Sequence, residues 1–133
     1  MEEFRGLLNL EVPGSKLLTF ILFGLPSLEK DLRLDAPLAQ RVALMCRLTP
    51  FSAETSGAYV RHRLTVAGCQ RAVFSETALD AIHRWAGGIP RVINTLCDNA
   101  LLEGYLRRRE LLDATLIDDV ARDLGIDADA NRP

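Results

Sequence analysis

Residues 87–91 read Gly87-Gly88-Ile89-Pro90-Arg91, and their reading decides how the chain is divided. Two adjacent glycines end the helix before them, because Gly takes the left-handed conformation after a helix without steric cost. Pro90 suits the first position of the next helix, where its missing N–H would have had no intrahelical acceptor. Arg91 falls in the opening turn, at the positive end of the helix dipole, where a cation is disfavoured by a few tenths to about 1 kcal/mol. Free N–H groups with a guanidinium beside them make an anion site suited above all to phosphate. The same five residues also describe a solvated arginine after a helix–helix turn.

The residues downstream carry the longest helical pattern in the chain. Ile93, Leu96, Cys97, Ala100, Leu101 and Gly104 recur at i, i+3, i+4, i+7, i+8 and i+11, one face of a helix. That spacing predicts a helix from Pro90 to about Arg108, with Arg91 and Asn94 near its start. Upstream, Ser75 caps a helix whose Leu79, Ile82 and Ala86 face inward, with His83 and Arg84 off the stripe and Trp85 at its border. Ser52 caps an earlier helix with Glu54 in its opening turn, Tyr59, Val60 and Leu64 on its apolar side and Gly68 at its end. Asp113 caps a fourth, with Leu116, Ile117, Val120 and Leu124 inward and Asp118, Asp119 and Arg122 outward. From Ser52 onward the chain is expected to be helical only, with a polar, frayed tail over Asp127–Pro133.

The first fifty residues have a different character. Phe4, Leu7 and Leu8 mark a short amphipathic helix over Glu2–Leu10, broken by Val12-Pro13-Gly14-Ser15. Leu17–Phe23 is apolar on both alternating faces, the pattern of a strand covered on both sides, as in parallel sheets. Gly24-Leu25-Pro26-Ser27 ends it, and a short helix is expected over Leu28–Leu34. A helical turn over Pro37–Arg41 then delivers Arg41 to the start of a second strand, Val42–Leu48, closed by Thr49-Pro50. Two such strands do not make an independent sheet. This half is therefore expected to be part of a larger α/β domain, and an uncapped helix at Met1 suggests a chain that starts inside a longer fold.

Composition narrows the function classes. At 133 residues, with 48% hydrophobic and 26% charged residues, the chain has enough apolar material for an ordinary folded core. A net charge of −2 gives no support to broad electrostatic capture of nucleic acid or anionic membrane. Arg107-Arg108-Arg109 is a basic run, but it closes a helix, where cations favour the negative dipole end. Cys46, Cys69 and Cys97 are odd in number and widely spaced, which forms neither a disulfide framework nor a zinc site. Cys46 and Cys97 lie in apolar patterns and are expected as small core residues. His62 and His83 have no companions at ligand spacing, so no metal site is expected. No apolar stretch is long enough to span a bilayer, and a reducing cytoplasmic location fits best.

From Glu2 to Leu124 the chain resembles the second half of an AAA+ ATPase core of the general secretion pathway A family, which is related to bacterial transposition ATPases. The resemblance rests on Leu7–Glu11, Ile21–Pro26, Gln40–Ala43, Tyr59–Leu64, Gly87–Arg91 and Ile93–Asp98, of which Gly87–Arg91 is the most specific. It implies distal strands of a nucleotide-binding α/β domain over residues 1–50, a four-helix lid over residues 51–126 and a flexible tail over 127–133. Arg91 matches the lid arginine (sensor 2) that reaches the terminal phosphate of ATP, with Pro90 and Gly88 beside it in the nucleotide-facing segment. Arg41 matches an arginine finger pointing at ATP in a neighbouring subunit. Both roles fit phosphoryl transfer, in which fixed guanidinium groups stabilise charge on phosphate oxygens.

Two features limit what this chain is expected to do alone. It contains no G-x-x-x-x-G-K-S/T loop and no apolar strand ending in an acidic pair for Mg²⁺. Leu25 and Ser27 stand where the family carries a polar and an acidic residue. The chain is thus expected to be inactive by itself, without bound ATP or Mg²⁺, and to need an N-terminal P-loop half. Like subunits and secretion-system proteins are the partners the resemblance implies, with DNA a weaker one. The competing reading is a non-enzymatic helical module that binds protein or DNA, and open strand edges would also favour self-association.

Overall fold

Pro26, Asp35, Ser52, Ser75, Pro90 and Asp113 stand at the starts of the six helices among the described residues, which are 11, 12, 15, 16 and 18–128 of a computed structural model. The chain divides into two compact units between Arg47 and Leu48. In the first, β1 (Glu11–Val12) and β2 (Ser15–Lys16) pair antiparallel, Glu11 opposite Lys16 and Val12 opposite Ser15. α1 (Ser27–Leu34) and α2 (Ala36–Ala39) follow, and the Asp35 carboxylate accepts the Leu38 N–H at 3.2 Å to start the second. Leu32 and Leu38 are the buried apolar residues of this pair. Arg47 and Arg33 donate to Glu29 at 2.7 and 2.6 Å, and these bonds hold its carboxyl below the ordinary carboxylate range.

Among the described residues, 18–23 and 42–48, neither of the two strands expected over Leu17–Phe23 and Val42–Leu48 is formed. Residues 18–25 and 42–52 carry no regular structure. A strand is completed by hydrogen bonds from its neighbours, and no described residue pairs with either run. Ile21, Phe23, Leu25, Leu44 and Leu48 are left between 74% and 88% exposed. Cys46, expected in a core, is exposed in the second run for the same reason. The fold is therefore mostly helical, without the two parallel-type strands of an α/β fragment among the described residues. The helix expected over Glu2–Leu10 lies outside the described residues, as do positions 129–133 of the expected tail.

The second unit holds α3 (Ala53–Val66), α4 (Glu76–Ala86), α5 (Pro90–Leu106) and α6 (Ala114–Asp123). Ser52, Ser75 and Asp113 cap α3, α4 and α6 by accepting the Thr55, Ala78 and Leu116 N–H groups at 3.0–3.1 Å. Each such cap is worth about 1 kcal/mol. α4 is the hub, packing against the other three helices. Ile82, Ile93, Leu96, Leu112 and Ile117 are essentially removed from water, each contributing about 1.5–3 kcal/mol. The loops before α4 and α6 are tied together in a parallel bridge. The Leu112 N–H bonds the Val73 carbonyl at 2.8 Å, and the Ser75 N–H bonds the Leu112 carbonyl at 2.9 Å.

Two boundaries differ from the sequence expectation. α5 stops at Leu106, because Arg108 turns into the left-handed region at φ 52° and the Arg109 N–H closes on the Gly104 carbonyl at 2.8 Å. That is a Schellman closure with arginine at the position usually held by glycine. Leu124, expected inward, is 40% exposed, since it lies beyond the end of α6 in the turn made by Gly125.

Candidate functional site

The link between α4 and α5 is shaped by backbone requirements. Gly87 and Gly88 both have positive φ, 56° and 74°, and the Gly87 N–H closes α4 on the His83 carbonyl at 2.9 Å. Gly88 is buried, and its carbonyl accepts the Phe51 N–H at 2.8 Å. A Cβ at Gly88 would overlap the Phe51 carbonyl oxygen and lie 2.7 Å from its nitrogen. Only glycine satisfies both the backbone angle and this contact. The segment entering α3 is thereby tied to the head of α5.

Ile89 precedes α5 in an extended conformation and supplies no side-chain oxygen as a cap. Pro90 has no N–H, and the Ile93 N–H is the first of the helix to bond backward, to the Ile89 carbonyl at 3.0 Å. The N–H groups of Arg91 and Val92 thus lie ahead of the intrahelical ladder. Arg91 is exposed, no acidic residue stands in the first turn of α5, and its guanidinium makes no ion pair among the described residues. A cation held unpaired at the positive end of a helix favours an anion beside it.

Aromatic and polar residues from α3 support this head. The Tyr59 hydroxyl donates to Asn94 Oδ1 at 3.1 Å and accepts from Arg63 at 3.2 Å, while the Arg63 guanidinium lies 5.9 Å from the Tyr59 ring centroid. Phe51 tilts against Tyr59 with ring centroids 5.4 Å apart. Deeper in, Ser56, only 1% exposed, hydrogen-bonds His83 Nδ1 at 3.0 Å. On the other side of α4, Asp118 Oδ1 accepts from both Trp85 Nε1 and Arg84 at 2.7 Å, latching α4 to α6. Local spacing does not reveal the Tyr59–Asn94 bond, because 35 residues separate its ends.

Gly88, Pro90 and Arg91 are thus contiguous at the head of α5 in the second unit. Arg41 belongs to the first unit, exposed in the turn after α2, where its N–H bonds the Leu38 carbonyl at 3.0 Å. The basic run is largely occupied within the molecule: Arg107 is bonded to Glu103 and lies 3.6 Å from Asp119, and Arg109 lies 3.8 Å from Asp113. Cys97 is half-buried against the core, and burial, with Asp98 adding a smaller effect, pushes its thiol up to about 12. No group of three or more His, Cys, Asp or Glu side chains among the described residues would hold a metal. No helix among them is long and apolar enough to cross a membrane.

The chain is 46% identical over 109 residues to General secretion pathway protein A of Aeromonas hydrophila. The match covers 80% of this chain but 20% of that protein, so the chain spans about a fifth of its relative's length. No family model matches the chain, and no solved structure matches it. Across most of its length, the chain is related in sequence to one part of a general secretion pathway protein.

Proposed function

We propose that this chain is the C-terminal, lid-bearing portion of a secretion-type AAA+ ATPase, in which Arg91 reads the terminal phosphate of ATP. The observation that carries the reading is the Arg91 guanidinium, unpaired among the described residues, beside the uncapped N–H groups of α5, in a chain similar to General secretion pathway protein A. These groups fit a phosphate, whose charge they would stabilise by fixed hydrogen-bond donors. Gly88 and Pro90 set the angle at which Arg91 leaves the α4–α5 link. Arg41 is the arginine that would reach ATP on a neighbouring like subunit. The lid couples nucleotide state to assembly of a secretion complex at the cytoplasmic face of the inner membrane.

The exposed apolar runs 18–25 and 42–48 support the same reading, since they suit strands that a P-loop half would pair and cover. The reading of a DNA-binding module is disfavoured by the intramolecular pairing of Arg107 and Arg109. The test is ATP hydrolysis by the pure chain, alone and with a separately made P-loop half. No turnover is expected alone. Turnover in the mixture should fall about 100-fold in Arg91→Ala with association between the halves intact. Equal turnover by Arg91→Ala would refute the phosphate-reading role, and hydrolysis by the chain alone would refute its dependence on a P-loop half.

A further inference from the structure

Phe74 is 5% exposed, yet neither its N–H nor its carbonyl makes a hydrogen bond among the described residues. The cause is the bridge to Leu112. The Val73 carbonyl and the Ser75 N–H point toward Leu112, at 2.8 and 2.9 Å, so the two groups of Phe74 itself point to the opposite edge. Ala72, two residues back, falls on that same edge and likewise makes no backbone bond among the described residues. Buried backbone groups are almost always paired, so this edge calls for a donor and an acceptor from another chain segment.

Ala72 and Phe74 line a groove of about 260 Å³ between the C-terminal half of α3 and residues 69–74. Val60, Leu64 and Leu79 give it an apolar lining, and Leu112, on the far edge, is not part of it. Two guanidiniums, Arg61 and Arg71, and one carboxylate, Glu76, stand around it. Glu76 is taken by Arg61. Arg71 donates to the Glu110 carbonyl, so its charge meets no carboxylate among the described residues.

We infer that this groove binds an extended peptide segment of a partner protein, added as a strand beside Phe74. A carbonyl and an N–H of the incoming backbone meet the two free groups of Phe74. One apolar side chain enters the groove, and an acidic residue beside it answers Arg71. The occupant is a strand and not a helix, because a helix has already paired its own N–H and C=O groups. Nor is it a metabolite, since the volume is below the roughly 300–1,000 Å³ of small-molecule sites. Arg91 does not line the groove, so the inference stands apart from the nucleotide reading.

The test follows the amide NMR spectrum of the isotope-labelled full chain as the capped pentapeptide acetyl-Glu-Val-Leu-Val-Glu-amide is added. Saturable binding with Kd below about 1 mM is expected, with shifts centred on the Ala72 and Phe74 amides. N-methylation of the peptide at two successive nitrogens should weaken binding about tenfold at one position and by less than about threefold at the other, because successive N–H groups point to opposite edges. Exchanging both Glu residues of the peptide for Lys should weaken binding about fivefold. Ala72→Pro obstructs this edge but leaves the bonds to Leu112, so it should abolish binding with far-UV circular dichroism unchanged. If that variant alters the fold, the two N-methyl peptides decide. No binding at several millimolar peptide, equal effects of the two N-methyl groups, or shifts centred elsewhere would each overturn the proposal. So would Ala72 and Phe74 amides that shift with chain concentration alone, which would assign the edge to a second copy.

Discussion

Replacing Gly88 with alanine tests the geometry on which the α5 head depends. The position is buried, its φ is +74°, and its carbonyl accepts the Phe51 N–H at 2.8 Å. Alanine in the left-handed region costs about 1–2 kcal/mol. The added Cβ overlaps Phe51, so that segment must move and its hydrogen bond is lost, a further 0.5–1.5 kcal/mol or so. Restricting the unfolded chain returns roughly 0.4–1 kcal/mol. The net expectation is a loss of about 2 kcal/mol, or a fall in Tm of about 8–16 °C for a domain of this size. Gly125→Ala is the control, because its φ is +64° but no atom lies within 4 Å of the new Cβ. It should lose only about 1 kcal/mol, the backbone cost less the unfolded-state gain. Urea unfolding followed by far-UV circular dichroism and by Trp85, the chain's single tryptophan, measures both. If Gly88→Ala loses no more than Gly125→Ala, the close approach of Phe51 is not a constraint and the reasoning fails.

Three further outcomes follow from the same structure. Arg108→Gly should stabilise the second unit by about 0.5–1 kcal/mol in dilute urea melts, because glycine relieves the left-handed strain at φ 52°; a neutral or destabilising effect would contradict it. Asp118→Ala should cost about 1–2 kcal/mol and shift Trp85 emission, since both Trp85 Nε1 and Arg84 lose their shared acceptor, whereas Asp123→Ala should change neither. Cys46 should react with an alkylating reagent near pH 8.5 while Cys97 stays protected, its thiol being pushed from 9.0 to about 12 by burial. The corresponding stability is fully present below pH 9. It is lost progressively as pH rises from 9 toward 12, because the unfolded thiol ionises first. Equal alkylation of the two thiols in native protein would refute this.

The four helices after residue 50 were legible from local chemistry. Ser52, Ser75 and Asp113 each placed a side-chain oxygen where the first free N–H groups need one, and Leu79, Ile82 and Ala86 are buried as their spacing required; of the α5 stripe, Ile93, Leu96, Ala100 and Gly104 are buried, Cys97 is half-buried and Leu101, at its edge, is 36% exposed. Helix starts and core faces are decided within a few residues, so sequence carries them. The same holds for the Gly87-Gly88-Ile89-Pro90 link, whose two positive φ values and proline start follow from residue type.

The two expected strands are not formed among the described residues, for the opposite reason. Leu17–Phe23 and Val42–Leu48 have the composition of covered strands, but a strand exists only when another backbone accepts its hydrogen bonds, and composition does not supply that partner. Tertiary structure alone placed Cys46 in the open, joined Tyr59 to Asn94 across 35 residues and showed that Gly88 is required by Phe51 as well as by its own φ. It also paired Arg107 and Arg109 with carboxylates from the turn and helix that follow, while leaving Arg91 without one among the described residues. By itself the sequence determined which residues start, stop and line each helix, because those choices are local. Which side chains meet, and which charges stay unpaired, was decided by packing between segments far apart in the chain.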